Sequence, residues 1–140
     1  MTNKKKVCFL STKSNLSLMA EGWASKLNLP SWHFFSGTIQ AGKKDPLSVE
    51  AMREVNIDIK DKEPARLNSE LLKEADVIVA IYDSRHESAP IKIFPAKEKV
   101  IQWNVPNPAY FQDFTEKWAA YQIVCDKLAL KVRKLKEILK

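Results

Sequence analysis

Three serine hydroxyls and one lysine are grouped in residues 11–17, STKSNLS, between an apolar segment and a helix-like segment. A loop that leads into a helix often binds phosphate, because the first backbone N–H groups of the helix have no partner within it and the helix dipole is positive there. Hydroxyl groups and a lysine ammonium would add further donors. The pattern therefore favours an anion-binding loop. Its candidate residues are Ser11, Thr12, Lys13, Ser14, Asn15 and Ser17.

The same loop lacks residues that usually complete such a site. It has no Gly, Arg or Cys, and only Asn15 is a plausible residue for the positive φ that a phosphate cradle requires. The alternative is that the serines cap the helix that follows. Both interpretations stay open, and we expect any affinity for phosphate or another oxyanion to be weak.

The cysteines and histidines do not indicate a cofactor or metal site. Cys8 and Cys125 have neither a disulfide framework nor metal-ligand spacing, and His33 and His86 are isolated. Cys8 lies in an apolar strand and Cys125 in the apolar seam of a helix, so both are expected to be small buried hydrophobic residues. We predict no cofactor and no metal.

The net charge of +6 is concentrated at the two ends of the chain. Residues 1–6 contain three lysines, and residues 127–140 contain six basic residues and one glutamate. A nucleic-acid-binding domain usually spreads its basic residues over one face, whereas basic residues late in a helix complement its dipole. Nucleic acid is therefore a disfavoured partner, with polyanion binding through these ends kept as an alternative.

No apolar run reaches the length of a membrane span, and the apolar part of the N-terminus is too short for a signal peptide. We expect a cytoplasmic protein without membrane contact.

Strand and helix patterns alternate along the chain. The predicted strands are KKVCFL (5–10), SWHFFSG (31–37), DVIVAIYD (76–83) and KVIQW (99–103). The predicted helices are LMAEGWASKLN (18–28), PLSVEAMREV (46–55), NSELLKEA (68–75) and a long helix from about Phe111. The segment 56–67 is interpreted as a charged loop.

This alternation predicts one three-layer α/β domain over residues 1–140, with a four-stranded, mostly parallel sheet and helices on both faces. Ligands of such sheets bind at the carboxyl ends of the strands, where loop 11–17 lies. The last helix has an apolar seam, which predicts packing against the sheet. The seam consists of Trp118, Tyr121, Cys125, Leu128, Val132, Leu135 and Leu139.

The segment FLSTKSNLSLMAEGWA resembles the start of the thioredoxin-coupled arsenate reductases, which share the fold of the low-molecular-weight protein tyrosine phosphatases. The likeness continues in WHFFSGTI, EAMREVNIDI, EADVIVAI and WNVPNPA, in order along almost the whole chain. It implies that fold, a bacterial protein, and arsenate reductase or tyrosine phosphatase activity.

The residues that this family uses for catalysis differ here. Its nucleophilic Cys matches Ser11, its acid Asp matches Asn107, and its two relay cysteines match Tyr82 and Ala89. Its Arg has no counterpart, because the loop is one residue shorter. A serine is a far weaker acid than a thiol, an amide cannot transfer the catalytic proton, and a relay needs thiols.

These differences predict a non-catalytic member of the family, a binding or regulatory module with an unknown protein partner. The alternative is a weak phosphatase or oxyanion-binding enzyme that uses Ser11 or Ser17. Arg85 and His86, and the aromatic residues Trp103, Tyr110 and Phe111, are weaker candidates for ligand contact, with solvated surface and core packing preferred.

Overall fold

The computed structural model describes residues 4–40, 42–88 and 99–139, without the side chain of Ser14. Five strands are formed by β1 (Lys5–Ser11), β2 (Trp32–Thr38), β3 (Ala65–Arg66), β4 (Val77–Tyr82) and β5 (Val100–Asn104). Four helices are formed by α1 (Ser14–Ala24), α2 (Pro46–Arg53), α3 (Ser69–Glu74) and α4 (Phe114–Leu139). A 3-10 turn covers Pro108–Tyr110.

The strands form one parallel sheet in the order β3-β2-β1-β4-β5. The centre of the sheet is β1, in which Val7 to Ser11 are all buried, as expected for a strand that helices cover on both faces. At its carboxyl end, Ser11 pairs with Thr38 of β2 and with Ile81 of β4. This register brings the segments that follow the three strands to one edge of the sheet.

The larger part of the core lies between the sheet and the helices α1, α2 and α4. Side chains of β1 alternate between the two faces, so Val7 and Phe9 belong to this core. Cys8 and Leu10 belong to a smaller core on the opposite face, together with Leu72 of α3.

The apolar seam of α4 packs as predicted. Six of its seven predicted residues are buried, and Trp118 is partly buried against the same core. This confirms the α/β fold with helices on both faces. No helix within the described residues is long and apolar enough to cross a membrane.

Three differences from the prediction bear on the site. The sheet has five strands instead of four, because Ala65–Arg66 pairs with Gly37 and Thr38; two exposed residues give no apolar alternation to detect. Helix α1 begins at Ser14, so residues 14–17 are its first turn and not a loop. Helix α4 begins at Phe114, because the 3-10 turn precedes it and Phe111 is extended.

Gly22 allows α1 to approach the segment after α2. A Cβ atom at this position would lie 2.9 Å from Ile57 Cγ2 and 3.0 Å from Met52 Cε. At Gly42, in contrast, a Cβ would meet no heavy atom of the described residues within 4 Å, apart from Gly42 and its chain neighbours.

Replacement of Gly22 by alanine should destabilise the protein. Better helix propensity would return about 0.5–1 kcal/mol, but overpacking of a filled core costs about 1–3 kcal/mol. We expect a net loss of about 1 kcal/mol in the free energy of unfolding, measured by urea denaturation. Gly42→Ala is the matched control and should be neutral. A Gly22→Ala variant as stable as the parent would contradict the close packing.

Candidate functional site

The hydroxyl of Ser11 connects the end of β1 to the start of α1. Its side chain is buried, with 2% exposure. Ser11 Oγ accepts a hydrogen bond from the backbone N–H of Ser17 at 3.2 Å, lies 3.0 Å from Ser17 Oγ, and donates to the backbone carbonyl of Lys13. The Ser11 hydroxyl and the Lys13 carbonyl oxygen therefore occupy the inner side of the turn between β1 and α1.

The N-cap of α1 is Lys13, whose extended backbone has φ −113° and ψ 151° and whose side chain makes no capping bond. The first N–H groups of an α-helix have no acceptor within the helix. The predicted capping of α1 by a serine side chain is not seen. Ser11 Oγ instead accepts from Ser17 N, the fourth residue of the helix. Thr12 holds the turn against β2, because its carbonyl accepts from Gln40 N at 2.9 Å and from Thr38 Oγ1 at 3.2 Å.

Asn15 fastens α1 to α2. Its buried Oδ1 accepts from Asp45 N at 2.9 Å and from Ser48 Oγ at 3.1 Å. The expectation that Asn15 supplies a positive φ is wrong, because it lies in α1. Among the described non-glycine residues only Asn56 has a positive φ, 63°, just after α2.

A cleft of about 330 Å³ opens beside this turn. It is lined by Lys13, Asn15, Gln40, Gly42, Lys43, Asp45 and Ala109. The carboxylate of Asp45 is already engaged, since it accepts from Leu47 N at 2.9 Å and from Tyr121 Oη at 3.3 Å, and lies 3.8 Å from Lys117 Nζ. The two lysines of the lining therefore favour an anionic ligand.

Two carboxylates that the sequence analysis overlooked lie after β4. Asp83 is 4% exposed; its Oδ2 accepts from Asn107 N at 2.9 Å and its Oδ1 from Arg85 N at 3.0 Å. Glu87 accepts from Asp83 N and from Tyr110 Oη, both at 2.8 Å. A signal was available, because Asp83 ends a continuous buried run, the place where parallel sheets present ligand-binding residues.

Asp83 is the first residue after β4, and the alternation of that strand carried one residue further puts it on the face of the sheet that Ser11 faces. Asp83 follows Ile81 with the two-residue period of β4, and Ser11 follows Phe9 with the same period in β1. Ile81 and Phe9 both belong to the core beneath α1 and α4. Since Ser11 pairs with Ile81, Asp83 follows the neighbouring strand at the same edge of the sheet as Ser11.

The other residues that the sequence analysis matched to catalytic positions of the family do not all lie beside Ser11. Asn107 is buried and caps the 3-10 turn, with Oδ1 accepting from Ala109 N at 3.0 Å. Tyr82 alternates onto the opposite face from Ser11, and its hydroxyl donates to Gln102 Oε1 at 3.2 Å. Ala89 lies outside the described residues.

Tyr110 joins the turn of Lys13 to the loop after β4. Lys13 Nζ lies 4.7 Å from the centre of the Tyr110 ring, and the His86 ring stacks on it at 4.3 Å. Burial and the hydrogen bond to Glu87 raise the pKa of Tyr110 to about 12, so its hydroxyl stays a donor at neutral pH. The weaker candidates His86 and Tyr110 thus lie beside the site.

Neither cysteine supplies a reactive thiol at the carboxyl edge of the sheet. Cys8 is fully buried on the α3 face, and burial, with a smaller effect of Glu21, raises its pKa to about 12. Burial also raises the pKa of Cys125, whose sulfur lies 3.6 Å from Met52 Sδ. No group of three or more His, Cys, Asp or Glu side chains in the described ranges is arranged to hold a metal ion.

Known proteins resemble this chain over nearly its full length. An arsenate reductase of Brevibacillus brevis is 33% identical over 138 residues, which cover 98% of this chain and 98% of that protein. The structure of an arsenate reductase in the phosphate binding state has a TM-score of 0.77 at 21% identity, covering 97% and 99% of the two chains. A low-molecular-weight protein tyrosine phosphatase from T. tengcongensis has a TM-score of 0.77 at 23% identity, covering 96% and 99%. No protein-family model matches the chain.

The prediction of a non-catalytic module is wrong on these findings. Proteins named as arsenate reductases match nearly the whole chain at about 30% identity, and solved members share its fold, which points to an active enzyme. The prediction took the absence of the family's catalytic residues as the absence of catalysis. It also overlooked the carboxylates of Asp83 and Glu87. The interpretation of Ser11, Asn107, Tyr82 and Ala89 as degenerate positions stays a prediction.

Both cysteines should resist alkylation by iodoacetamide in the folded protein at pH 8 and react fully in guanidinium chloride. A free thiol has a pKa of about 8.5, whereas that of Cys8 is raised to about 12 in the folded state. The raised pKa of Cys8 does not change the free energy of unfolding below about pH 8.5. Between about pH 8.5 and pH 12 the free energy of unfolding falls, because the unfolded chain loses the Cys8 thiol proton first. Mass spectrometry would count the modified thiols. Native modification at the rate of free cysteine would contradict the burial.

Proposed function

The chain belongs to the superfamily of arsenate reductases and low-molecular-weight protein tyrosine phosphatases, and we propose that within it the chain is a phosphate monoester hydrolase. One observation carries the proposal: a serine hydroxyl, the start of an 11-residue helix and a buried carboxylate lie at one edge and on one face of the sheet.

Hydrolysis suits the side chains at this edge better than arsenate reduction does. Reduction of arsenate to arsenite consumes two electrons, which protein thiols deliver through disulfide exchange. The chain has two cysteines, both buried, and the Cys8 thiol has a pKa of about 12. Hydrolysis of a phosphate ester consumes only water, so it needs no thiol.

We propose that the phosphate group binds at the N-terminus of α1. The first-turn N–H groups and the dipole favour an anion there, and Lys13 and Lys43 line the adjacent cleft. An arsenate reductase in the phosphate binding state shares this fold, which supports oxyanion binding. Binding requires Ser11 Oγ to exchange the Lys13 carbonyl for the ligand, which agrees with the expectation of weak affinity.

The proposed reaction has two displacements. Ser11 Oγ forms a bond to phosphorus while the ester P–O bond breaks. The serine proton passes to the Asp83 carboxylate and from there to the leaving oxygen. A water molecule then attacks the phosphorus of the phosphoserine and its Ser–O–P bond breaks. Asp83 takes a proton from the water and passes it to the departing Ser11 Oγ, which restores the hydroxyl, leaves Asp83 ionised and releases phosphate. Asp83 thereby performs proton transfer where Asn107 cannot.

Hydrolysis of para-nitrophenyl phosphate tests this function. Ser11→Ala should reduce turnover to the uncatalysed rate, because the nucleophile is gone. Asp83→Asn keeps the shape of the side chain and one of its two acceptor oxygens, so it loses the bond from either Asn107 N or Arg85 N. It also removes the proton carrier, so kcat should fall about 10²–10⁴-fold. Circular dichroism would check that both variants are folded.

Ser84→Ala is the matched control, since Ser84 is exposed beside Asp83 and bonds Asn104 instead. It should retain full activity. Turnover that survives Ser11→Ala would exclude the serine as nucleophile, and arsenate-dependent thiol oxidation without ester hydrolysis would favour the reductase activity of the relatives.

A cytoplasmic location, one domain over residues 1–140 and a protein partner stay predictions beside this proposal.

A further inference from the structure

The two basic ends of the chain meet at the amino end of the sheet. Lys5 Nζ lies 5.7 Å from the centre of the Trp32 ring, and Trp32 Nε1 donates to the backbone carbonyl of Leu139 at 3.0 Å. The start of β1 and the last turn of α4 are therefore neighbours, although the chain separates them by more than a hundred residues.

Basic residues outnumber acidic ones in the segments at this end. Lys4, Lys5, Arg133 and Lys134 are exposed. Lys6 is the exception, since its ammonium lies 3.6 Å from Glu74. Between residues 127 and 139 the sequence has one acid, Glu137, against five basic residues.

Exposed aliphatic side chains run beside these charges along the outer side of α4. Ile123 and Leu130 are each 56% exposed, and Ile138 is 67% exposed. With 3.6 residues per turn these three share one side of the helix with Lys134. The stripe from Ile123 to Ile138 is about 22 Å long at 1.5 Å per residue.

We propose that this surface, the outer side of α4 with Lys4 and Lys5, binds a bilayer that contains anionic lipid. Basic residues interleaved with aliphatic ones on one helix face are typical of helices that lie in a membrane interface. The aliphatic groups would enter the acyl boundary while the lysine ammonium groups reach the phosphates.

Other occupants match the surface less well. A second copy of the chain would bring two positively charged faces together. Nucleic acid would use the charges, but Ile123, Leu130 and Ile138 offer no aromatic ring for base stacking. The convex side of a helix also provides no groove for a peptide. The proposal departs from the sequence-based expectation of no membrane contact, which considered only spanning segments.

This orientation would leave the candidate active site accessible. Ser11 is at the opposite end of β1 from Lys5, about 20 Å away along a seven-residue strand. The cleft of Lys13 and Lys43 would then face away from the bilayer.

Vesicle co-sedimentation of the full chain tests the proposal. The protein should sediment with vesicles of equimolar phosphatidylcholine and phosphatidylglycerol and stay in solution with pure phosphatidylcholine. Lys134→Gln should weaken partitioning about fivefold, the effect of one basic residue at an anionic surface. Lys60→Gln removes the same charge from an exposed position in the segment that follows α2 and should have no effect.

The aliphatic contribution is tested at constant charge. The double variant Leu130→Ser, Ile138→Ser should weaken partitioning, whereas Phe114→Ser, at an exposed position at the other end of α4, should not. Absence of binding to the anionic vesicles would overturn the proposal. Full binding by the Leu130→Ser, Ile138→Ser double variant would also overturn it, because charge alone would then account for the interaction.

Discussion

The hydrogen bonds of the Ser11 hydroxyl set the geometry on which the candidate site depends. This one group accepts from the backbone of Ser17 and donates to the backbone of Lys13. It thereby starts α1 immediately after β1 and aligns the helix axis with the carboxyl edge of the sheet. A buried hydroxyl without partners is costly, so these bonds stabilise the turn.

Neighbouring segments are built around the same turn. Thr12 connects it to β2, Asn15 connects it to the start of α2, and Lys13 contacts the ring of Tyr110. Among the described residues, no buried side-chain nitrogen or oxygen lacks a hydrogen-bond partner. The polar groups at this edge are thus held by a connected network, which positions Asp83 and Glu87 without requiring an ion.

The architecture could be predicted from the sequence more completely than the site. Burial can be predicted from the continuous apolar runs of β1 and β4 and from the apolar seam of α4. Most of the residues in these segments contact the core. β3 escaped prediction because pairing with β2 needs only backbone groups. The carboxylates of Asp83 and Glu87 escaped because their relation to Ser11 arises from parallel pairing between distant segments, which local spacing does not encode. Likewise, the proximity of Lys5 and Leu139 follows from α4 running antiparallel to β1.

The central claim is that a tetrahedral oxyanion binds where β1 meets α1, and the most direct measurement is a phosphate and arsenate titration followed by backbone amide NMR shifts. The account predicts saturable shifts confined to the amides of residues 11–17, with matching shifts for both anions. Absence of shifts there at high millimolar anion, or shifts only among the lysine-rich ends, would contradict it.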